Sequence, residues 1–463
     1  MPREHVSEVS PVASYKLVGI LWIGAAPLIA AAGFTSPRAA HALPAFAQQT
    51  GQACKSCHVG GFGPELTPFG REFKLGGYTL RAHRSVPLAA MAIGSFTHSR
   101  KDQDPAPEHL ARNDNLTLDE AAVFVAGGLG NHLGGFAEIT YEGIDRHFTW
   151  DNLDLRAVTT GKLFSNDATF GLSVNNNPTV QDPWNTLPAW GFPFTNTATT
   201  PTPGAAPLID GALAQNVLGV TTYAWMGHHL YLELGGYTSP SAGTLRWLGA
   251  NPTDPGKIHA VAPYGRAAYQ TSLAGGTFEF GANFLKAALF PERDRTSGFS
   301  DHYADWGVDS SWQKAIGGSD LLSANVRYEH EHADLRASCA LGLIGDGSSA
   351  GCARYRLREW RAAVRYTLHD KFGFTLSPFR ITGSHNDNVF DGSGRPGSSG
   401  LMGQVDYTFW PDGKSPLGPL VNARTGIQYT VYGKFNGRRH NFDGAGGNAR
   451  DNDVLRLFTW IAF

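Results

Sequence analysis

From about residue 88 onward, apolar and polar side chains alternate in stretches of ten to fifteen residues. In Val421 to Lys434, the side chains of Val421, Ala423, Ile427, Tyr429 and Val431 share one face, opposite Asn422, Arg424, Gln428 and Lys434. Between Leu322 and Glu329, the series Leu322, Ala324, Val326, Tyr328 opposes Ser323, Asn325, Arg327, Glu329. Trp360, Ala362, Val364, Tyr366 and Leu368 oppose Glu359, Arg361 and Arg365 in the same way. A period of two is the mark of strands with two unlike faces. A soluble β-sandwich also alternates, but it hides its apolar face in a core. Here aromatic residues gather toward the segment ends, as they do at the two interfaces of a membrane barrel.

The links between these segments alternate in length. Asn131 to Gly134, Phe164 to Asp167, Gly227 to His229, Ala274 to Gly276, Gly317 to Ser319 and His369 to Lys371 read as tight turns. Ser99 to Thr117, Asn177 to Gly211, Ala242 to Lys257, Pro291 to Gly298 and Asn386 to Ser399 are longer polar links. Short turns at one end and long loops at the other predict an all-β fold over residues 88–463, an antiparallel outer-membrane β-barrel of about sixteen strands. An even strand number puts both ends of the barrel chain on the short-turn, periplasmic side. Leu455, Leu457, Thr459, Ile461 and Phe463 form a last alternating series ending in an aromatic, which looks like the recognition signal of bacterial outer-membrane barrels.

Composition agrees with this pattern. Only 17% of residues are charged, against 56 glycines and 11% aromatics, and mean hydropathy is still negative. Such a balance suits a surface alternating between lipid and water. A formal charge of −2 implies no nucleic-acid partner. Lys16, the apolar stretch Leu17 to Phe34 and Ala40-His41-Ala42 read as a signal peptide over residues 1–42. The stretch is long enough for a membrane anchor, but Pro27 and the small-residue tail favour cleavage.

The candidate chemistry lies just beyond. Cys54-Lys55-Ser56-Cys57-His58 is a C-x-x-C-H run. Its spacing lets two cysteines bond to a haem covalently while the adjacent imidazole ligates the iron. One covalently attached haem c is therefore expected, held by Cys54 and Cys57 with His58 as proximal ligand. Residues 43–87 form a small, mainly helical or irregular segment, too short to bury a haem unaided. It carries Lys55, Arg71, Lys74, Arg81 and Arg84 against Glu65 and Glu72, so it is a basic plug for an acidic barrel. Met91, 33 residues after His58, is the candidate distal ligand, and a thioether there raises the haem potential. His83 and His98 are the alternatives. Cys339 and Cys352 flank a Gly/Ser-rich loop and are expected to form a disulfide, with two free thiols as the alternative. In the run Glu329-His330-Glu331-His332-Ala333-Asp334, alternation turns Glu329 and Glu331 toward the lumen and the histidines outward. The two glutamates are candidates for the point where a metal cation gains access, with solvated rim charges as the alternative.

The N-terminal segment also resembles a known family. Pro44-Ala45-Phe46-Ala47-Gln48-Gln49-Thr50-Gly51, the C-x-x-C-H run, Pro64-Glu65-Leu66-Thr67-Pro68-Phe69-Gly70-Arg71-Glu72-Phe73-Lys74 and then Gly77-Tyr78 are similar to the fused monohaem cytochrome–porins of the outer membrane of iron-oxidising bacteria. Gln48 departs from the pattern, standing where many members have Arg. The resemblance implies a cytochrome segment lodged in a single-chain barrel, entered from the periplasmic side. It also implies oxidation of extracellular Fe(II), with a periplasmic cytochrome c or similar carrier as acceptor. The alternatives are a conduit for another donor or acceptor, or a solute porin with a cytochrome plug.

Overall fold

The computed structural model describes residues 44–82, 87–345, 354–390, 392–418 and 420–463. The expected signal peptide and His83 lie outside these residues. The strands in chain order are β1 (Leu88–Ser99), β2 (Asn115–Leu129), β3 (Leu133–Glu142), β4 (His147–Leu163), β5 (Asn166–Asn175) and β6 (Leu218–Met226). Next come β7 (Leu230–Thr238), the two-residue β8 (Lys257–Ile258), β9 (Ala262–Leu273), β10 (Gly276–Phe290), β11 (Asp301–Gly317) and β12 (Asp320–Asp334). The series ends with β13 (Arg354–Leu368), β14 (Phe372–Gly383), β15 (Ser398–Thr408), β16 (Asn422–Lys434) and β17 (Val454–Ala462).

Sixteen of these strands form a closed antiparallel ring. Each pairs with its neighbours in sequence, β7 passes directly to β9, and β17 returns to β1 from Met91↔Ala462 to Ser99↔Val454. Closure leaves no row of unpaired backbone groups facing lipid. β8 stands outside the ring order and pairs with the far end of β10.

The period-two pattern becomes two surfaces. On β13, Arg354, Arg356, Arg358, Trp360 and Val364 face outward and are exposed, whereas Glu359, Arg365 and Thr367 are buried on the lumen side. Trp306 and Trp312 stand six residues apart on β11, roughly 20 Å along the strand at about 3.4 Å per residue. That spacing matches an apolar band about 25 Å tall with aromatic residues at each border.

The lumen is filled from both ends. At the short-turn end lie three short helices, α1 (Pro44–Thr50), α2 (Cys54–Cys57) and α3 (Pro68–Leu75). Thr67 caps α3 by accepting from the Gly70 backbone N–H, and Pro68 takes a first-turn position where its missing N–H costs nothing. Phe46 stacks on Tyr78 at 5.2 Å and meets Phe73 edge-on at 5.1 Å. This small core cannot stand alone, and the barrel wall holds it on all sides. The Tyr78 hydroxyl donates to Asp154 of β4, Tyr223 of β6 donates to the Leu75 carbonyl, Gln313 of β11 to the Leu66 carbonyl, and Asn422 of β16 to the Gly61 carbonyl.

From the other end, residues 176–217 between β5 and β6 fold inward. The sequence reads Asn177 to Gly211 within it as a longer polar link at the loop end; instead Val180, Leu187, Leu213 and Val217 of the stretch are fully buried. The polar barrel wall explains the difference, because it supplies partners for loop backbone. Glu331 accepts from the Leu208 N–H, Asp305 from the Ile209 N–H, Arg456 donates to the Thr195 carbonyl, and Tyr432 to the Pro201 carbonyl. The loop thus spans the lumen above the helical segment.

Candidate functional site

The helical segment, the barrel wall and the inward loop enclose a cavity of about 420 Å³, within the range of small-molecule sites. Cys54, Cys57 and His58 all line it, and so does Met91 of β1. Residues distant in sequence complete the wall, among them Phe62, Phe136, Trp190, Phe194, Leu420 and Trp460. The segment that is too small to enclose a haem therefore shares its pocket with β1, β3, β17 and the loop.

Both motif cysteines carry free thiols, so they are not joined to each other. Asn422 donates to Cys54 Sγ at 3.4 Å, orienting it. Burial pushes the Cys54 thiol up to about 11 and the Cys57 thiol to about 12, the latter helped by the neighbouring Cys54. His58 is half-buried and lines the cavity. Burial lowers its imidazole to about 4, an effect that the nearby Gly63 backbone partly opposes. That backbone lies outside hydrogen-bond geometry, and Nδ1 stays buried without a partner. A neutral imidazole with an unengaged ring nitrogen is the state needed for metal ligation. Met91 Sδ accepts from the Trp460 indole N–H at 3.2 Å. Trp460 also packs edge-on against Phe62 at 4.8 Å. Two free thiols at the right spacing, a neutral imidazole, a thioether and aromatic walls on one cavity fit a haem c.

His98 does not belong to this group. It has the opposite strand parity to Met91, lies near the far end of β1 and pairs with Asp114 at 2.7 Å. A one-residue change in parity moves a side chain to the other face of the wall.

Glu329 and Glu331 face the lumen, as alternation predicts, but they do not open to the outside. Both are fully buried; Glu331 binds the Leu208 backbone and Glu329 accepts from Asn283 at 3.2 Å. The inward loop reaches Glu331 through the Leu208 backbone, so neither glutamate lies on an open rim. Among the described residues, no three acidic, His or Cys side chains are arranged to hold a metal ion. Cys339 is in a disulfide; its expected partner Cys352 lies outside the described residues.

Sequence reasoning missed the carboxylates on the cavity wall, Glu120 of β2, Glu138 of β3 and Asp151 of β4. Glu138 follows the regular alternation of β3, and two irregularities bring the other two there. The β1–β2 register slips between Ile93↔Glu120 and Gly94↔Leu118, so the adjacent Asp119 and Glu120 both turn from lipid. A second slip separates Ala137↔Leu153 from Ile139↔Trp150, beside Asp151. A bulge re-aims side chains against the simple period. Lys74 of α3 is a further cavity residue. It donates to the Val180 carbonyl and to Asn185, each at 2.8 Å, and so ties helix to loop. Burial, reinforced by Arg156, lowers its amine to about 7.

No family profile and no curated protein matches this chain in sequence. Among solved structures, it is similar to Pseudomonas putida OprB, with 11% identity, a TM-score of 0.47, and coverage of 81% of this chain and 94% of that one. It is also similar to an anion-selective porin from Comamonas acidovorans, at 10% identity and TM-score 0.45 over 82% and 98% of the two chains. The outer-membrane channel DcaP of Acinetobacter baumannii gives 11% identity and TM-score 0.45 over 81% and 96%. A closed sixteen-stranded barrel with an apolar outer face is the architecture of an outer-membrane, porin-like protein.

Proposed function

We propose that this chain is an outer-membrane electron conduit, a c-type cytochrome segment seated in a porin-like barrel that moves single electrons across the outer membrane. The observation that carries this reading is the shared cavity, where Cys54, Cys57, His58 and Met91 meet among residues of the barrel and its inward loop. Haem c bound there supplies reversible one-electron chemistry at its iron. Cys54 and Cys57 would hold that group through two thioether bonds, and His58 and Met91 are the side chains that would ligate its iron. Trp460 orients the Met91 thioether, and Asn422 orients Cys54. The inward loop and the helical segment both line the cavity.

The short-turn end, where the cytochrome segment sits, faces the periplasm, and the long loops face outward. The resemblance in the N-terminal segment supplies Fe(II) as donor and a periplasmic cytochrome c or similar carrier as acceptor. Fe(II) gives up one electron outside and remains outside as Fe(III), which is insoluble at neutral pH. Covalent haem attachment tests the reading first. The intact protein retains haem through denaturing electrophoresis, and Cys54→Ser/Cys57→Ser does not. A wild-type barrel purified without haem contradicts the proposal.

Sixteen strands are enough for an aqueous channel, so a solute porin with a cytochrome plug is the second reading. Lumen closure at two levels argues against it. A porin-sized conductance in the intact protein would favour it.

A further inference from the structure

The outward face of β11–β14 carries charge where a barrel wall meets the membrane border. Trp306, Tyr328 and Trp360 form an aromatic row across three strands, with ring centroids 5.4 and 4.6 Å apart. Immediately toward the long-loop end, outward positions become basic. Arg358 stands opposite His330, Arg356 opposite His332, and Arg354 opposite Asp334. Arg380 of β14 stands opposite Trp360, beside the row. Successive outward positions are about 7 Å apart along a strand and cross-strand neighbours about 5 Å apart. The result is a compact cationic patch on the lipid side of the wall.

Its neutralisation is incomplete. Asp334 takes Arg354 at 3.1 Å and Arg336 at 3.2 Å. Among the described residues, Arg356, Arg358 and Arg380 have no acidic partner. The cross-strand neighbours of Arg358 and Arg356 are His330 and His332, not carboxylates. Like charges placed together without counter-ions weaken the wall unless something anionic sits against them. Guanidinium groups bind phosphate in a bidentate way that lysine cannot copy, and this patch is built from arginine.

We propose that this patch binds the phosphate groups of the glycolipid in the outer leaflet. The aromatic row anchors the wall at the headgroup level, and Arg356, Arg358 and Arg380 clamp the phosphates just above it. The inference rests on the long loops facing outward, and is independent of the haem.

The test measures binding of bisphosphorylated lipid A to the full-length protein in detergent. Arg356→Gln/Arg358→Gln/Arg380→Gln is expected to bind at least tenfold more weakly, and dephosphorylated lipid A to bind the wild type no better than lipid A binds this variant. Single Arg358→Gln gives an intermediate loss, and a heat-modifiable electrophoretic shift reports that each variant remains a folded barrel. Millimolar inorganic phosphate leaves lipid A binding intact if the ligand is the lipid. Displacement by phosphate at matched concentration identifies a free-anion site and overturns the proposal, as does unchanged binding by the folded triple or single variant. The haem-free Cys54→Ser/Cys57→Ser protein binds lipid A normally, so failure of the cytochrome reading is separable. Antibody access to an epitope placed in residues 384–397 on intact cells reports the orientation by itself.

Discussion

At the residue scale, the chemistry depends on a few side chains that different parts of the chain deliver to one cavity. The place of Met91 on the cavity wall beside the motif is legible from sequence, because it lies 33 residues after His58 at the start of the first strand. Its indole partner Trp460 is 369 residues away and is set by barrel closure, which no local pattern encodes. Met91→Leu should abolish the thioether-to-iron absorption band and lower the haem potential. An unchanged spectrum and potential would assign the sixth ligand elsewhere. Trp460→Phe should keep the ligand but shift the potential, since the Sδ loses its hydrogen bond. The cavity carboxylates were illegible for a different reason. Glu120 and Asp151 sit at register slips, where alternation assigns faces wrongly. Lys74 gives a pH test. Its amine is lowered to about 7 in the fold and sits near 10.5 when solvated. Between these values the unfolded chain holds the extra proton, so this group makes stability rise as pH increases through that window. Lys74→Met should flatten the rise in a denaturant titration series from pH 7 to 10; an unchanged slope would locate the titration in another group.

Among the elements, the strands and turns follow from period-two alternation and turn chemistry. The helical segment and the inward loop depend on contacts made after the barrel closes. The short α3 is legible in part from Thr67-Pro68, a cap followed by a first-turn proline. Its tight packing on the C-x-x-C-H helix is not. A Cβ at Gly70 would lie 2.3 Å from the Cys57 carbonyl oxygen, too close for any rotation to relieve. Gly70→Ala should therefore cost on the order of 1–3 kcal/mol of local packing. The expected result is a barrel that still folds but carries less haem per protein, read from the ratio of haem to protein absorbance. Full haem content would show that α3 can shift away from the motif. Asn177 to Gly211 reads as a polar link at the loop end because polar, Gly/Pro-rich sequence is compatible with either solvent or a polar lumen. Its direction is set by partners such as Glu331, Asp305 and Arg456, which the barrel alone brings together.

For the whole molecule, closure of sixteen strands, short turns at one end and long links at the other were all legible, because they repeat along the chain and each repeat checks the last. The contents of the lumen were legible only as an expectation that a short segment needs help to enclose a cofactor. The barrel wall and the inward loop complete a cavity against that segment. Intact protein in planar bilayers should conduct far less than an open sixteen-stranded porin, and removal of residues 44–82 should raise conductance while residues 176–217 still obstruct part of the lumen. The most direct measurement is addition of Fe(II) to the purified, air-oxidised protein while the haem α-band is followed. Appearance of the reduced band, lost in Cys54→Ser/Cys57→Ser, is the predicted result. A haem that dithionite reduces but Fe(II) leaves oxidised across the working pH range would contradict Fe(II) as the donor. A protein that carries no haem at all would contradict the conduit itself.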